Sequence, residues 1–155
     1  MPEHRQLFDY WTSLLDGQLP CRSNFKPAQV PRLLPGLFLV DVARPLAKSR
    51  IRLAGTKLRE IYDREITGHH ILDLDHSDHH GYWLDAYRVA VEELRPSSGI
   101  VTCVTRSARV MHQHWLKLPL RNRADSIDIV LCLDVFVETA EIAASLKFAR
   151  SQNMA

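Results

Sequence analysis

Between His69 and His80 the chain gathers side chains that can bind a metal or move a proton. They are His69, His70, Asp73, Asp75, His76, Asp78, His79 and His80. His76 and His80 stand four residues apart, and two imidazoles at that spacing on one helix face can hold a divalent ion. The competing interpretation is electrostatic. Asp75 and Asp78 suit the positive end of a helix, with Ser77 or Asp78 as its cap. No second histidine or cysteine motif of fixed spacing accompanies the cluster, so the solvated cap is preferred and His76 and His80 are metal candidates only. The cysteines, Cys21, Cys103 and Cys132, are odd in number and include no CxxC pair. Cys103 and Cys132 fall in apolar runs and read as small buried hydrophobes. No GxGxxG, P-loop or GxSxG elbow occurs. Nothing assembles a nucleophile, a base and an orienting group, so no enzyme is expected.

The elements that must position these residues follow from periodicity. A helix is expected over 4–15, where Leu7, Phe8, Trp11, Leu14 and Leu15 share a face. That face either caps the chain's own sheet or pairs two copies. A proline-punctuated segment, 20–35, turns Val30, Leu33 and Leu34 inward. Strands are expected over 37–43 and 50–55, joined by a loop containing Pro45. Leu58, Ile61 and Tyr62 mark a short helix after Gly55-Thr56. A long helix over 78–94 presents Trp83, Tyr87, Ala90, Val91 and Leu94. Three strands follow, over 99–107, 109–120 and 127–136, and then a closing helix over 138–150.

In the strand over 109–120 the even residues, His112 and His114 included, are taken as the inner face, with Gln113 and Lys117 outside. In the last strand Ile127, Ile129, Leu131, Leu133 and Val135 form the apolar face, while Asp128 and Asp134 face away. Pro119 fits a strand end or an edge. Strands interrupted by a block of helices argue an α+β fold with an antiparallel sheet.

With 155 residues the chain has the size of one domain with a real core. A net charge of +2, from 20 basic and 18 acidic residues, is too balanced to draw nucleic acid by bulk attraction. No apolar run approaches the roughly 18 residues of a membrane span, and the N-terminus lacks a signal-peptide core. A cytoplasmic location is expected.

The segment RIRLAGTKLREIYDREITG, with VPRLLPGLFLVDVAR before it and LKLPL after it, resembles the PAS_5 family of small bacterial PAS-domain proteins. The likeness runs from about Phe8 to Phe136 and centres on Arg52-Leu53-Ala54-Gly55-Thr56 and Glu65-Ile66-Thr67-Gly68. It implies a five-stranded antiparallel PAS sheet with helices on one face, plus N-terminal and C-terminal flanking helices, in one domain with its core over 37–136. The flavin-binding cysteine motif of light-sensing PAS relatives is not matched. The chain ends soon after the last expected strand with no kinase, cyclase or DNA-binding output, and is expected to be a stand-alone PAS protein.

The resemblance implies a non-enzymatic sensory module in bacterial signalling. A small molecule would sit between sheet and long helix, and occupancy would change dimerisation or the docking of a signalling partner. Tyr62, Trp83 and Tyr87 would form its wall and Val101, Cys103, Leu116 and Leu131 its floor. His112, His114 or Arg52 would be polar anchors. The alternatives are a ligand-free adaptor, with the N-terminal helix in a homodimer or partner contact, and a metal or haem sensor. For haem the position of His79 or His80 near the start of the long helix is the only match. No cofactor is identified.

Overall fold

The computed structural model describes residues 1–74, 79–105, 108–122 and 127–140. Five strands, β1 (Leu37–Asp41), β2 (Arg50–Ala54), β3 (Ser97–Val104), β4 (Val110–Arg121) and β5 (Ile127–Glu138), form one sheet. Its order is β2-β1-β5-β4-β3 and its pairings are antiparallel. Among the described residues the α-helices are α1 (Pro2–Ser13), α2 (Thr56–Tyr62) and α3 (His80–Val91). The α+β architecture is the expected one. The closing helix expected over 138–150 falls almost wholly outside the described residues, as do Asp75, His76, Ser77 and Asp78.

The N-terminal flanking helix α1 with the proline-rich segment covers one face of the sheet, and the α2 and α3 layer covers the other. On the first face Leu7 and Trp11 of α1, with Phe25, Val30 and Leu33 of the proline-rich segment, pack against Leu116, Leu118 and Leu120 of β4 and Ile129, Leu131 and Leu133 of β5. The apolar stripe of α1 thus seats on its own sheet, which is where an amphipathic helix gains most of its stability. Trp11 Nε1 donates to the Pro119 carbonyl oxygen at 3.1 Å. Pro119 is tolerated in β4 because β3 pairs only as far as Lys117, so the strand has a free side there. On the second face Leu58, Ile61 and Tyr62 of α2, Ile71, and Tyr87, Ala90 and Val91 of α3 pack over Phe38, Val130, Cys132 and Phe136.

Gly55 joins β2 to α2 and explains the glycine of the Arg52–Thr56 core. Its N–H donates to Leu37 O at 2.7 Å. A side chain there would run into the carbonyl oxygens of Leu34 and Pro35. One register shift lies between Leu39 and Val40, so that Val40 faces Ile51 and Leu39 faces Leu53. Adjacent β1 residues point to opposite faces, so Ile51 is buried while Leu53, on the edge strand, is 58% exposed. Arg52 is the extra residue of this bulge. The long helix is shorter than the sequence pattern implies: Leu94 adopts a left-handed conformation (φ 56°) beyond its end and is half exposed.

Candidate functional site

A cavity of about 240 Å³ lies between the sheet and the second helical layer. Its roof comes from Ile61 and Tyr62 of α2, Ile71 and Leu74, and Trp83 and Tyr87 of α3. Val101 and Cys103 of β3, Gln113 and Lys117 of β4, Asp134 and Phe136 of β5, and Phe38 of β1 close the other side. Tyr62 meets Phe136 edge to face, with ring centroids 6.1 Å apart. Both rings are thereby fixed as wall.

Gln113, Lys117 and Asp134 are buried polar side chains in this largely apolar space, whose lining also includes His79, Thr102 and Thr105. Lys117 is 1% exposed, and its Nζ lies 4.4 Å from the Tyr87 ring centroid, 5.1 Å from Trp83, 5.1 Å from Trp115 and 5.7 Å from Phe38. Four aromatic faces replace part of the water a buried ammonium loses. Asp134 is also buried; its Oδ2 accepts a hydrogen bond from Gln113 Nε2 at 2.6 Å, whereas Oδ1 has no partner. Burial pushes the Asp134 carboxyl above the usual carboxylate range, against the pull of Lys117 and of the Gln113 bond. Lys117 and Asp134 share the cavity yet form no ion pair within 4.0 Å. Behind the lining, Tyr87 Oη approaches the buried Cys132 Sγ at 3.8 Å. Burial raises the Tyr87 phenol and pushes the Cys132 thiol up to about 12, so both are neutral packing groups.

The aromatic cage is itself braced. Trp115 Nε1 donates to Tyr82 Oη at 2.8 Å, and Tyr82, Trp83 and Trp115 meet edge to face. Gly99 sits opposite Trp115 in the β3–β4 ladder, and the indole lies over it.

Of the residues expected at the site, Tyr62, Trp83, Tyr87, Val101 and Cys103 line the cavity. Leu116 and Leu131 are buried in the other layer, beneath α1. His112 and His114 share the face of Leu116 and are half-buried; His112 Nδ1 approaches Thr102 Oγ1 at 3.3 Å. The inner face of β4 is therefore the odd one, and that of β5 the even one, opposite to expectation. Asp134 does not face away but sits in the cavity. Arg52 lies outside, where the bulge sends its guanidinium to Asp41, Nε to Oδ1 at 2.8 Å. His80 is exposed at the start of α3, and His79 borders the cavity. No group of three metal-capable side chains forms among the described residues.

Residues 1–133 match the family model PAS_5, a PAS domain. The chain belongs to the PAS_5 family. PAS domains are typically sensory and non-catalytic. Solved structures that share this fold include light-oxygen-voltage domains. One, studied with a flavin analogue, superposes with a TM-score of 0.58 at 11% identity, covering 81% of this chain and 93% of that one. The LOV protein of Rhodobacter sphaeroides gives 0.54 at 16%, covering 73% and 69%. The LOV domain of the blue-light activated histidine kinase EL346 of Erythrobacter litoralis gives 0.53 at 9%, covering 66% and 95%. At such identities these show a common PAS fold. No curated protein matches the chain. No helix among the described residues is long and apolar enough to cross a membrane.

Proposed function

We propose that this PAS_5 domain is a sensor that binds a small molecule in the cavity between the sheet and α3 and transmits occupancy to a signalling partner. One observation carries the proposal: Gln113, Lys117 and Asp134 are buried in that cavity among aromatic rings. A core that only holds a fold together gains little from burying charged groups without direct pairing, since desolvation costs several kcal/mol per ion. A binding pocket uses a few such groups to orient an otherwise apolar ligand. At about 240 Å³ the cavity falls just below the roughly 300–1,000 Å³ range of ligand pockets, so its occupant is a small molecule of one or two rings.

The roof is α2, the 71–74 turn and α3, whose packing responds to what lies beneath. A ligand that favours one packing over another shifts the population by its differential affinity. Native mass spectrometry of freshly purified protein, with an absorbance scan of the same sample, is the test. A retained small-molecule mass is the expected result, and a flavin or haem would also announce itself by its absorbance band. A clean apo mass, with no stabilisation by any member of a small-molecule library, overturns sensing in favour of a ligand-free adaptor.

A further inference from the structure

Resting on the sensing role just proposed, we infer that the cavity takes a neutral, flat ligand that presents a hydrogen-bond acceptor and a donor side by side, as along the –NH–C(=O)– edge of a lactam ring. Two unmet needs in the cavity define that edge. Lys117 Nζ carries donors surrounded by ring faces and accepted by no carboxylate among the described residues. Asp134 Oδ1 is buried and receives no donor, while Oδ2 is committed to Gln113.

The two side chains reach the site from adjacent strands. Lys117 pairs with Cys132 and Trp115 with Asp134 in the β4–β5 ladder, so Lys117 and Asp134 are diagonal neighbours on one face. A ligand carbonyl accepting from Lys117 and an adjacent N–H donating to Asp134 would satisfy both. Charge-assisted hydrogen bonds of this kind are the strong ones. The ammonium and the carboxylate together are neutral. A neutral ligand keeps that balance, whereas an anion would leave an uncompensated charge in a buried space. The flatness follows from Trp83, Tyr87 and Phe136, whose rings bound the cavity.

The test compares three bicyclic probes of one shape: carbostyril, which has the lactam edge, naphthoate, which is anionic, and naphthalene, which has neither feature. Binding is followed by quenching of tryptophan emission and by calorimetry. Carbostyril is expected to bind about tenfold or more tighter than either of the others. Lys117→Met and Asp134→Asn should each abolish that preference while leaving naphthalene binding and the far-UV spectrum in place. Tightest binding by naphthoate would mean that Asp134 is protonated and the site takes an anion; this overturns the inference and leaves sensing intact. Equal binding of carbostyril and naphthalene shows that the polar pair does not read the ligand, and overturns it likewise. Binding by none of the three overturns the inference, and the copurified mass and library screen then decide sensing separately.

Discussion

The Nζ atom of Lys117 stands 4.4 Å from the centre of the Tyr87 ring, with three further aromatic rings around it. That cage lets a lysine occupy a position where a leucine would otherwise be expected. It also couples Lys117 to Asp134, because the ammonium, ahead of the Gln113 hydrogen bond, opposes the effect of burial on the carboxyl.

Lys117→Met removes the charge and keeps the length. Only the Gln113 hydrogen bond then opposes burial at Asp134, and its pKa in the folded protein rises further above the ordinary 3.8. A carboxyl whose pKa is raised on folding stabilises the native state below its unfolded pKa. It loses that contribution as pH rises through the folded value. The Lys117→Met protein should therefore lose more stability than the wild type on going from about pH 4 towards neutrality. Adding Asp134→Asn should remove the difference. Urea midpoints across that range measure it, and parallel curves for Lys117→Met and wild type would sink the idea.

Gly99 tests the brace of the cage. An alanine Cβ there would lie 2.6 Å from Trp115 Cζ2, 2.8 Å from Cε2 and 2.8 Å from Tyr82 Oη. The indole must move, which breaks its bond to Tyr82 and one wall of the lysine cage. Gly99→Ala is expected to cost about 1–3 kcal/mol, the usual range for overpacking, with a red shift of tryptophan emission. An unchanged emission maximum and midpoint would show that Trp115 is not held as described.

Trp83 offers a variant that separates binding from folding. It is half-buried, lines the cavity and faces Lys117 at 5.1 Å. Trp83→Ala should weaken carbostyril binding about tenfold or more while the far-UV spectrum stays unchanged. Undiminished affinity would take Trp83 out of the wall.

The sequence made some of this site readable and hid the rest, for a physical reason. Helical stripes announced Leu7 and Trp11 of α1 and Trp83 and Tyr87 of α3, because a helix buried on one face has one apolar stripe. The phase of β4 and β5 was misread because the sheet is buried on both faces, so alternation no longer separates inside from outside. Leu116, Leu118 and Leu120 are as deeply buried as the even face suggested, but beneath α1. The less apolar face, with Gln113, Lys117 and Asp134, borders the cavity. A single lysine inside Trp115–Leu120 and an aspartate inside Leu131–Phe136 were the available signals. Each breaks an apolar run in a central strand. Arg52 failed as an anchor because a bulge, invisible in the pattern, turned it outward.

Acid should act first at the other face of the sheet. His4, in the first turn of α1, has its Nε2 buried without a hydrogen-bond partner. Burial, then the Met1 amino group and His114, hold the His4 pKa down at about 4 against an ordinary 6.5, with the Leu133 backbone and then Glu3 opposing. His114 is lowered too, by burial first and then by the Met1 amino group and His112. A base whose pKa is depressed on folding adds stability above its unfolded pKa and loses it as pH falls through the folded value. Between pH 6.5 and about 4, protonation should therefore loosen α1 from its seat. Trp11, hydrogen-bonded to Pro119 in that seat, should then report the change through its emission. His4→Gln keeps a polar side chain and removes the titration, so its stability should fall less over this window. If wild type and His4→Gln lose stability in parallel, the acid response of this face does not originate at His4.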